Sequence, residues 1–73
     1  SFSVPRDEMV HLAVYSVEGA RVATLVNEHM AAGRHQVIWA GADATGRRVS
    51  SGTYFCRIAA GSFTKTIRMT LVK

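Results

Sequence analysis

The sequence predicts an all-β protein, an antiparallel sandwich of about seven short strands. Three observations support this prediction. Apolar and polar residues alternate with a period of two in several runs, and those runs are rich in β-branched and aromatic residues. Turn-forming residues, above all glycine, separate the runs at short, regular intervals. Together these features favour strands over helices and a sandwich over an open layer.

The first half of the chain reads as a short leading strand and a hairpin. Phe2–Val4 forms the leading strand, and residues 9–15 and 21–26 form the two strands of the hairpin. Gly19 stands where a type I turn needs a left-handed residue before the second strand. The following stretch, NEHMAAG at residues 27–33, is too short to stand as a helix, so we predict a loop there.

The second half contributes the remaining strands. Residues 35–40, HQVIWA, alternate as a strand, and a short strand follows near residues 48–50. Residues 53–59 and 63–71 form a closing hairpin across AAGS. In the register that we prefer, Ile58 faces Phe63, because the next register places Arg57 opposite the like-charged Lys65. Tyr54 then faces Ile67, and Arg57 faces Thr64.

The inward side chains of these runs predict the core. Cys56 lies on an apolar strand face, where a free cysteine usually behaves as a small buried hydrophobe rather than as a reactive thiol. For Trp39, burial in the core is favoured over an exposed platform on which a sugar could stack. The predicted core residues are Val10, Leu12, Val14, Val37, Trp39, Tyr54, Ile58, Ile67 and Leu71.

Composition argues against an enzyme and against a metal or cofactor site. A chain of 73 residues builds a thin core and leaves little room for a catalytic cleft, and its single cysteine excludes an internal disulfide. His11, His29 and His35 have no spacing that would bring two ligands together on one element. Asp43 is the one carboxylate in its glycine-bounded loop, whereas calcium needs six or more oxygen ligands. We therefore expect no catalytic residue, no metal and no cofactor.

Charge and hydropathy argue against two kinds of partner, nucleic acid and the membrane interior. The net charge of +4 comes mainly from arginines spread along the chain, whereas nucleic-acid modules concentrate their cations on one face. No apolar run approaches the roughly 20 residues that a membrane span requires. We expect neither nucleic-acid binding nor direct insertion into a membrane. The sequence starts without methionine, and we interpret residues 1–73 as a single module of a longer protein.

An ordered set of motifs resembles one family. The set comprises VYSVEGARV, the strand AGRHQVIWAG, the connection DATGRRVSSGTY and the basic ending TKTIRMTLVK. It resembles the immunoglobulin-like domains related to the flagellar hook-capping protein, and equally the C-terminal sorting domains of type IX secretion. The resemblance covers residues 10–73 and implies an immunoglobulin-like sandwich without catalytic residues. The positions that match the family's structural motifs are Gly19, Trp39, Asp43, Gly46, Gly52 and Tyr54.

The resemblance also implies a function. It suggests a C-terminal sorting or cell-surface attachment domain of an exported bacterial protein, located outside the cell or on its surface after passage through the periplasm. Its partners would be the secretion or attachment machinery and the upstream domains of the parent protein. Lys65, Arg68 and Lys73 are the candidate recognition residues on the last strand. Two alternatives remain open, an accessory module that binds carbohydrate or protein and a structural spacer.

Overall fold

Residues 2–72, which this computed structural model describes, fold into six strands arranged in two antiparallel sheets. The larger sheet has the strand order β3-β2-β5-β6, and the smaller sheet pairs β1 with β4. The all-β sandwich is therefore confirmed, with six strands in the described residues instead of about seven. The strands are β1 (Phe2–Val4), β2 (Glu8–Ser16), β3 (Arg21–Met30), β4 (Gly33–His35), β5 (Gly52–Ala60) and β6 (Phe63–Leu71).

The first predicted hairpin is present, and its second strand is longer than expected. At the turn, the N–H of Gly19 donates to the carbonyl oxygen of Ser16 at 3.0 Å, and Gly19 has a φ of 88°. That left-handed conformation is the one that glycine adopts without a steric penalty. Beyond the predicted end at residue 26, β3 continues to Met30, and Gly33 begins β4, so the loop predicted at residues 27–33 is wrong for residues 27–30 and for Gly33. Residues 27–30 pair with the start of β2, and this pairing outweighs their weak intrinsic preference for the strand conformation.

The segment at residues 35–40 is not a strand, although its side chains alternate. Only His35 lies in a strand, the end of β4. Val37 and Trp39 are half-buried, whereas Ile38 between them is 80% exposed. The alternation arises because the extended backbone lies along the larger sheet and directs every second side chain towards it. The short strand predicted near residues 48–50 is likewise absent, and only an isolated bridge joins Ala42 to Arg48.

The closing hairpin forms, but in a register two residues away from the predicted one. Ala60 pairs with Phe63, which leaves Gly61 and Ser62 as a two-residue turn. Ile58 consequently faces Lys65, and Tyr54 faces Met69. A glycine at the first position of a two-residue turn suits the tight hairpins that match strand twist, and this turn sets the register. The prediction of which β5 side chains point inward is still correct, because a shift of two residues leaves every side chain on the same face of the sheet.

The core lies between the sheets and is centred on β2. The buried apolar residues on this inner side are Val4, Val10, Leu12, Val14, Ala23, Val26, Tyr54, Ile58 and Ala60, while Ala13 is buried on the opposite face of β2. Five predicted core residues are thereby confirmed: Val10, Leu12, Val14, Tyr54 and Ile58. The others are less buried than expected.

Four predicted core residues are not fully buried. Val37, Trp39 and Leu71 are half-buried, and Ile67 is 47% exposed. The smaller sheet consists of two three-residue strands, so it cannot cover the whole inner face of a four-stranded sheet. The smaller sheet covers β6, the strand at the edge, least of all. Within residues 2–72 no helix is long and apolar enough to cross a bilayer.

Candidate functional site

The loop around Asp43 is organised by its own carboxylate. Oδ1 of Asp43 accepts hydrogen bonds from the Thr45 N–H at 2.9 Å, the Thr45 Oγ1 at 2.7 Å and the Arg47 N–H at 3.0 Å. The backbone of Asp43 adds two more, from its N–H to the Arg47 carbonyl at 2.8 Å and from the Gly46 N–H to its own carbonyl at 3.0 Å. The side chain thus replaces a neighbouring strand as the partner of this backbone.

The electrostatics of Asp43 follow from these donors. The hydrogen bond from the Thr45 hydroxyl is the main cause that lowers the pKa of the Asp43 carboxyl below its ordinary value of 3.8. The backbone N–H groups of Arg47 and Thr45 act in the same direction, and partial burial opposes them. The carboxylate therefore serves as a structural acceptor within its loop.

Trp39 and Tyr54 attach the long connection after β4 to the start of β5. The rings meet edge to face, with centroids 5.0 Å apart and planes inclined by 67°. Nε1 of Trp39 donates to the Ala42 carbonyl at 2.8 Å, and the Tyr54 hydroxyl donates to the Ser50 carbonyl at 2.7 Å. A tyrosine that bonds back to the backbone a few residues upstream is a recurrent corner of immunoglobulin-like sandwiches. Both aromatic residues hold the connection in place.

Five of the six positions matched through the family resemblance lie in two groups. Asp43 and Gly46 share the loop described above, and Gly52 and Tyr54 lie at the start of β5 beside Trp39. Gly19 lies apart, in the β2–β3 turn. Gly19, Asp43 and Gly46 make or permit backbone turns, Trp39 and Tyr54 make a ring contact, and Gly52 begins β5.

An apolar cavity of about 250 Å³ lies between the larger sheet and the segment that carries Val37 and Trp39. Cys56 lines it and is half-buried rather than buried, and desolvation raises the pKa of its thiol. The alternation pattern could not reveal this cavity, because it shows which side chains face inward but not whether a second layer covers them. The lining residues are Phe2, Leu12, Leu25, Val37, Trp39, Cys56, Ile58, Ile67 and Met69.

The candidate recognition residues lie on β6, at the edge of the larger sheet. Lys65 projects to the inner side, between Phe63 and Ile67, whereas Arg68 projects to the outer side. They share an edge but not a face, since successive side chains of a strand point to opposite sides. Phe63 is 44% exposed next to Lys65. Lys73 lies outside the described residues.

The three histidines lie on three different strands. His11 is in β2 and His29 in β3, while His35 ends β4, stacks on Phe2 with centroids 5.7 Å apart and donates from Nε2 to the Ala31 carbonyl at 2.6 Å. Within residues 2–72 no group of three or more His, Cys, Asp or Glu side chains is placed to hold a metal ion.

The comparisons with known proteins agree with this architecture. The family model of the FlgD Ig-like domain matches residues 3–63. No curated protein and no solved structure matches the chain significantly. The match spans most of the chain and all strands from β2 to β5, including Trp39, Asp43 and Tyr54. The chain belongs to the FlgD Ig-like domain family.

Proposed function

We propose that this chain is a non-catalytic sorting and cell-surface attachment domain, carried at the C-terminus of a larger exported bacterial protein. Membership in the FlgD Ig-like domain family suggests a non-catalytic module. The hydrogen bonds of Asp43, Trp39 and Tyr54 agree with that suggestion, since they hold the fold together. The sorting role is the further step, and it rests on the surface of β6.

One observation carries the proposal, the open edge of β6. This strand is nine residues long, lies at the end of the sheet order and has no neighbour on its outer side within the described residues. It exposes Lys65 and Arg68 with a row of threonines. An open strand edge offers backbone hydrogen bonds to another chain, and its charged side chains select which chain binds.

The partners follow from this role. The secretion or attachment machinery would bind the β6 edge, and the upstream domains of the parent protein would be its cargo. The working location is the outer surface of the cell or the medium, reached through the periplasm. Nucleic acid is a poor candidate, because the two cations of β6 lie on opposite faces, Lys65 beside Phe63 and Ile67 and Arg68 on the outer side, and so form no phosphate-binding stripe.

A second function uses the same edge. An accessory module that binds a protein partner also needs an exposed strand with apolar side chains, and Phe63 and Ile67 supply them. Carbohydrate binding is less favoured, because the Trp39 ring contacts Tyr54 and its N–H is bonded to Ala42. A structural spacer would use no part of the edge.

The test is a secretion assay. Residues 1–73 are fused behind a signal peptide and a passive reporter in a bacterium that has type IX secretion, and surface and periplasmic reporter are measured. We expect the reporter at the surface, and retention in the periplasm when residues 70–73 are deleted. Protease resistance of the retained reporter fusion shows whether the shortened domain is still folded.

A charge-matched pair of variants locates the recognition surface. Lys65→Glu with Arg68→Glu should retain the reporter in the periplasm, whereas Arg21→Glu with Arg34→Glu changes the net charge equally and should leave export intact. Arg21 and Arg34 are exposed on other strands. If the unaltered fusion also stays in the periplasm, the sorting role is wrong and the protein-binding module replaces it.

A further inference from the structure

We propose that the β6 edge binds an extended segment of its partner that alternates apolar and acidic residues and adds as a fifth strand to the larger sheet. This inference rests on the proposed function, for which it names the chemistry of the partner. Three independent features of the edge carry it: its backbone, its inner side and its charge.

The backbone of β6 forms a regular, continuous edge. Its pairing with β5 runs through nine consecutive residue pairs without a bulge, whereas β3, at the other end of the sheet, shows two register shifts against β2. Bulges protect an edge against further pairing, so β3 is the less suitable acceptor.

The two-residue turn also determines which groups point outward. Since Ala60 and Phe63 close the turn as a hydrogen-bonded pair, antiparallel alternation directs the next free N–H and C=O groups away from β5. These groups belong to Thr64, Thr66, Arg68 and Thr70. An added strand would bond to them.

The inner side of the edge requires apolar side chains. Phe63 and Ile67 are 44% and 47% exposed there, although their neighbours Ile58 and Ala60 on β5 are buried. A groove of about 350 Å³ runs between β1 and β6, lined by Phe2, Ser3, Ile58, Phe63, Lys65 and Ile67. Every second side chain of an added strand would enter this groove, and apolar ones beside Phe63 and Ile67 would remove those two side chains from water.

Charge completes the description of the partner. The sequence contains no Asp or Glu after Asp43, whereas residues 44–72 contain five cations, Arg47, Arg48, Arg57, Lys65 and Arg68. Arg68 and Arg57 project from the outer face of β6 and β5, and both are exposed. Acidic residues at the outward positions of the added strand would meet them.

The same charges argue against a second copy of this chain as the occupant. Two β6 strands that paired edge to edge would bring Lys65 and Arg68 of one copy close to those of the other. Like charges across a pair of strands are unfavourable. A partner of opposite charge avoids this repulsion.

A synthetic peptide tests the proposal. The probe has nine residues with valine and glutamate in alternation, and a matched peptide carries lysine in place of glutamate. Each is titrated into the isotope-labelled 73-residue chain, and amide exchange is followed by NMR. We expect slower exchange at Thr64, Thr66, Arg68 and Thr70, and binding by the lysine peptide at least about tenfold weaker, with the difference decreasing as salt increases.

Two pairs of variants separate the backbone from the charge. Thr66→Pro removes one outward N–H donor and should abolish binding, while Thr66→Ala keeps the donor and should bind normally. Proline is tolerated on an edge strand where its nitrogen faces solvent, and far-UV circular dichroism verifies the fold. Arg68→Glu should weaken binding about tenfold, whereas Arg21→Glu, on β3, should not.

Three results would overturn the inference. They are equal binding of both peptides, unchanged binding by Thr66→Pro, and amide protection at β6 that rises with protein concentration without peptide, which would identify a second copy as the occupant. Failure of sorting with intact peptide binding refutes the proposed function alone. Intact sorting without peptide binding refutes the fifth strand alone.

Discussion

Asp43 shows how one side chain can organise a segment that has no strand partner. Three donors converge on its Oδ1, and two of them are backbone N–H groups. The loop from Ala42 to Arg48 would otherwise have to expose these groups to water or leave them unpaired. The ionised carboxylate is the better acceptor, which is why the pKa of Asp43 is lowered.

A lowered pKa predicts a stability that depends on pH. Because the folded pKa lies below the ordinary value of 3.8, ionised Asp43 stabilises the fold above that pH, and the contribution is lost as pH falls through the folded pKa. Asp43→Asn should lower the urea midpoint at neutral pH, and this difference should become smaller at acidic pH as the carboxylate is protonated.

The control is Glu18→Gln, in the exposed β2–β3 turn, which should change the midpoint little at either pH. A gap between wild type and Asp43→Asn that stays constant on acidification would contradict the role given to the charge.

The β5–β6 hairpin shows how a turn decides the pairing of a whole strand. Gly61 adopts a φ of 61°, and the two-residue turn that it permits sets all nine pairs between these strands. This register places Ile67 opposite Cys56, on the part of the sheet that the smaller sheet leaves uncovered. A local conformation thereby determines a feature of the molecular surface.

Substitution of Gly61 should destabilise the hairpin. Gly61→Ala should cost about 1–2 kcal/mol of unfolding free energy, because an L-residue is strained in the left-handed region. Gly61→Asn should cost less, since asparagine tolerates that conformation. Urea denaturation of both variants measures the difference.

Steric contact can be separated from backbone strain. A Cβ at Gly61 would lie 2.7 Å from Oε2 of Glu8, the flexible end of a side chain. Repeating the Gly61→Ala measurement in a Glu8→Ala background should leave the cost nearly unchanged. A cost that disappears there would mean that crowding, not φ, is the cause.

The molecule as a whole has one substantial sheet and one thin cover. Two three-residue strands and the extended segment at residues 36–40 lie over four long strands. Trp39 is the largest side chain of that segment. Its edge-to-face contact with Tyr54 of β5 holds the cover against the sheet, and its hydrogen bond to Ala42 fixes the indole within the connection. Since domains are stable by only about 5–15 kcal/mol, the loss of one such contact matters.

Trp39→Ala should lower the free energy of unfolding by about 2 kcal/mol, less than the roughly 3–5 kcal/mol typical of a fully buried aromatic residue, because the indole is half-buried. Chemical denaturation followed by circular dichroism measures this change. Ile38→Ala is the matched control, since Ile38 is 80% exposed, and it should stay within about 0.5 kcal/mol of wild type. Equal losses in the two variants would contradict the role of Trp39 as the anchor.

The sequence by itself determined the fold class, the two hairpins and the centre of the core. Alternation along β2 identified Val10, Leu12 and Val14, because the period of a strand is a property of the backbone and needs no knowledge of its partner. Turns could also be predicted from local sequence, as Gly19 in the β2–β3 turn shows.

Only the tertiary structure decided what each strand pairs with and what covers it. Residues 27–30 became strand because β2 offered them a partner, whereas residues 36–40 are extended but pair with no strand. Ile67 alternates like a core residue, yet it is exposed because the smaller sheet does not reach β6. Pairing and coverage depend on residues distant in sequence, so a local pattern of period two cannot specify them.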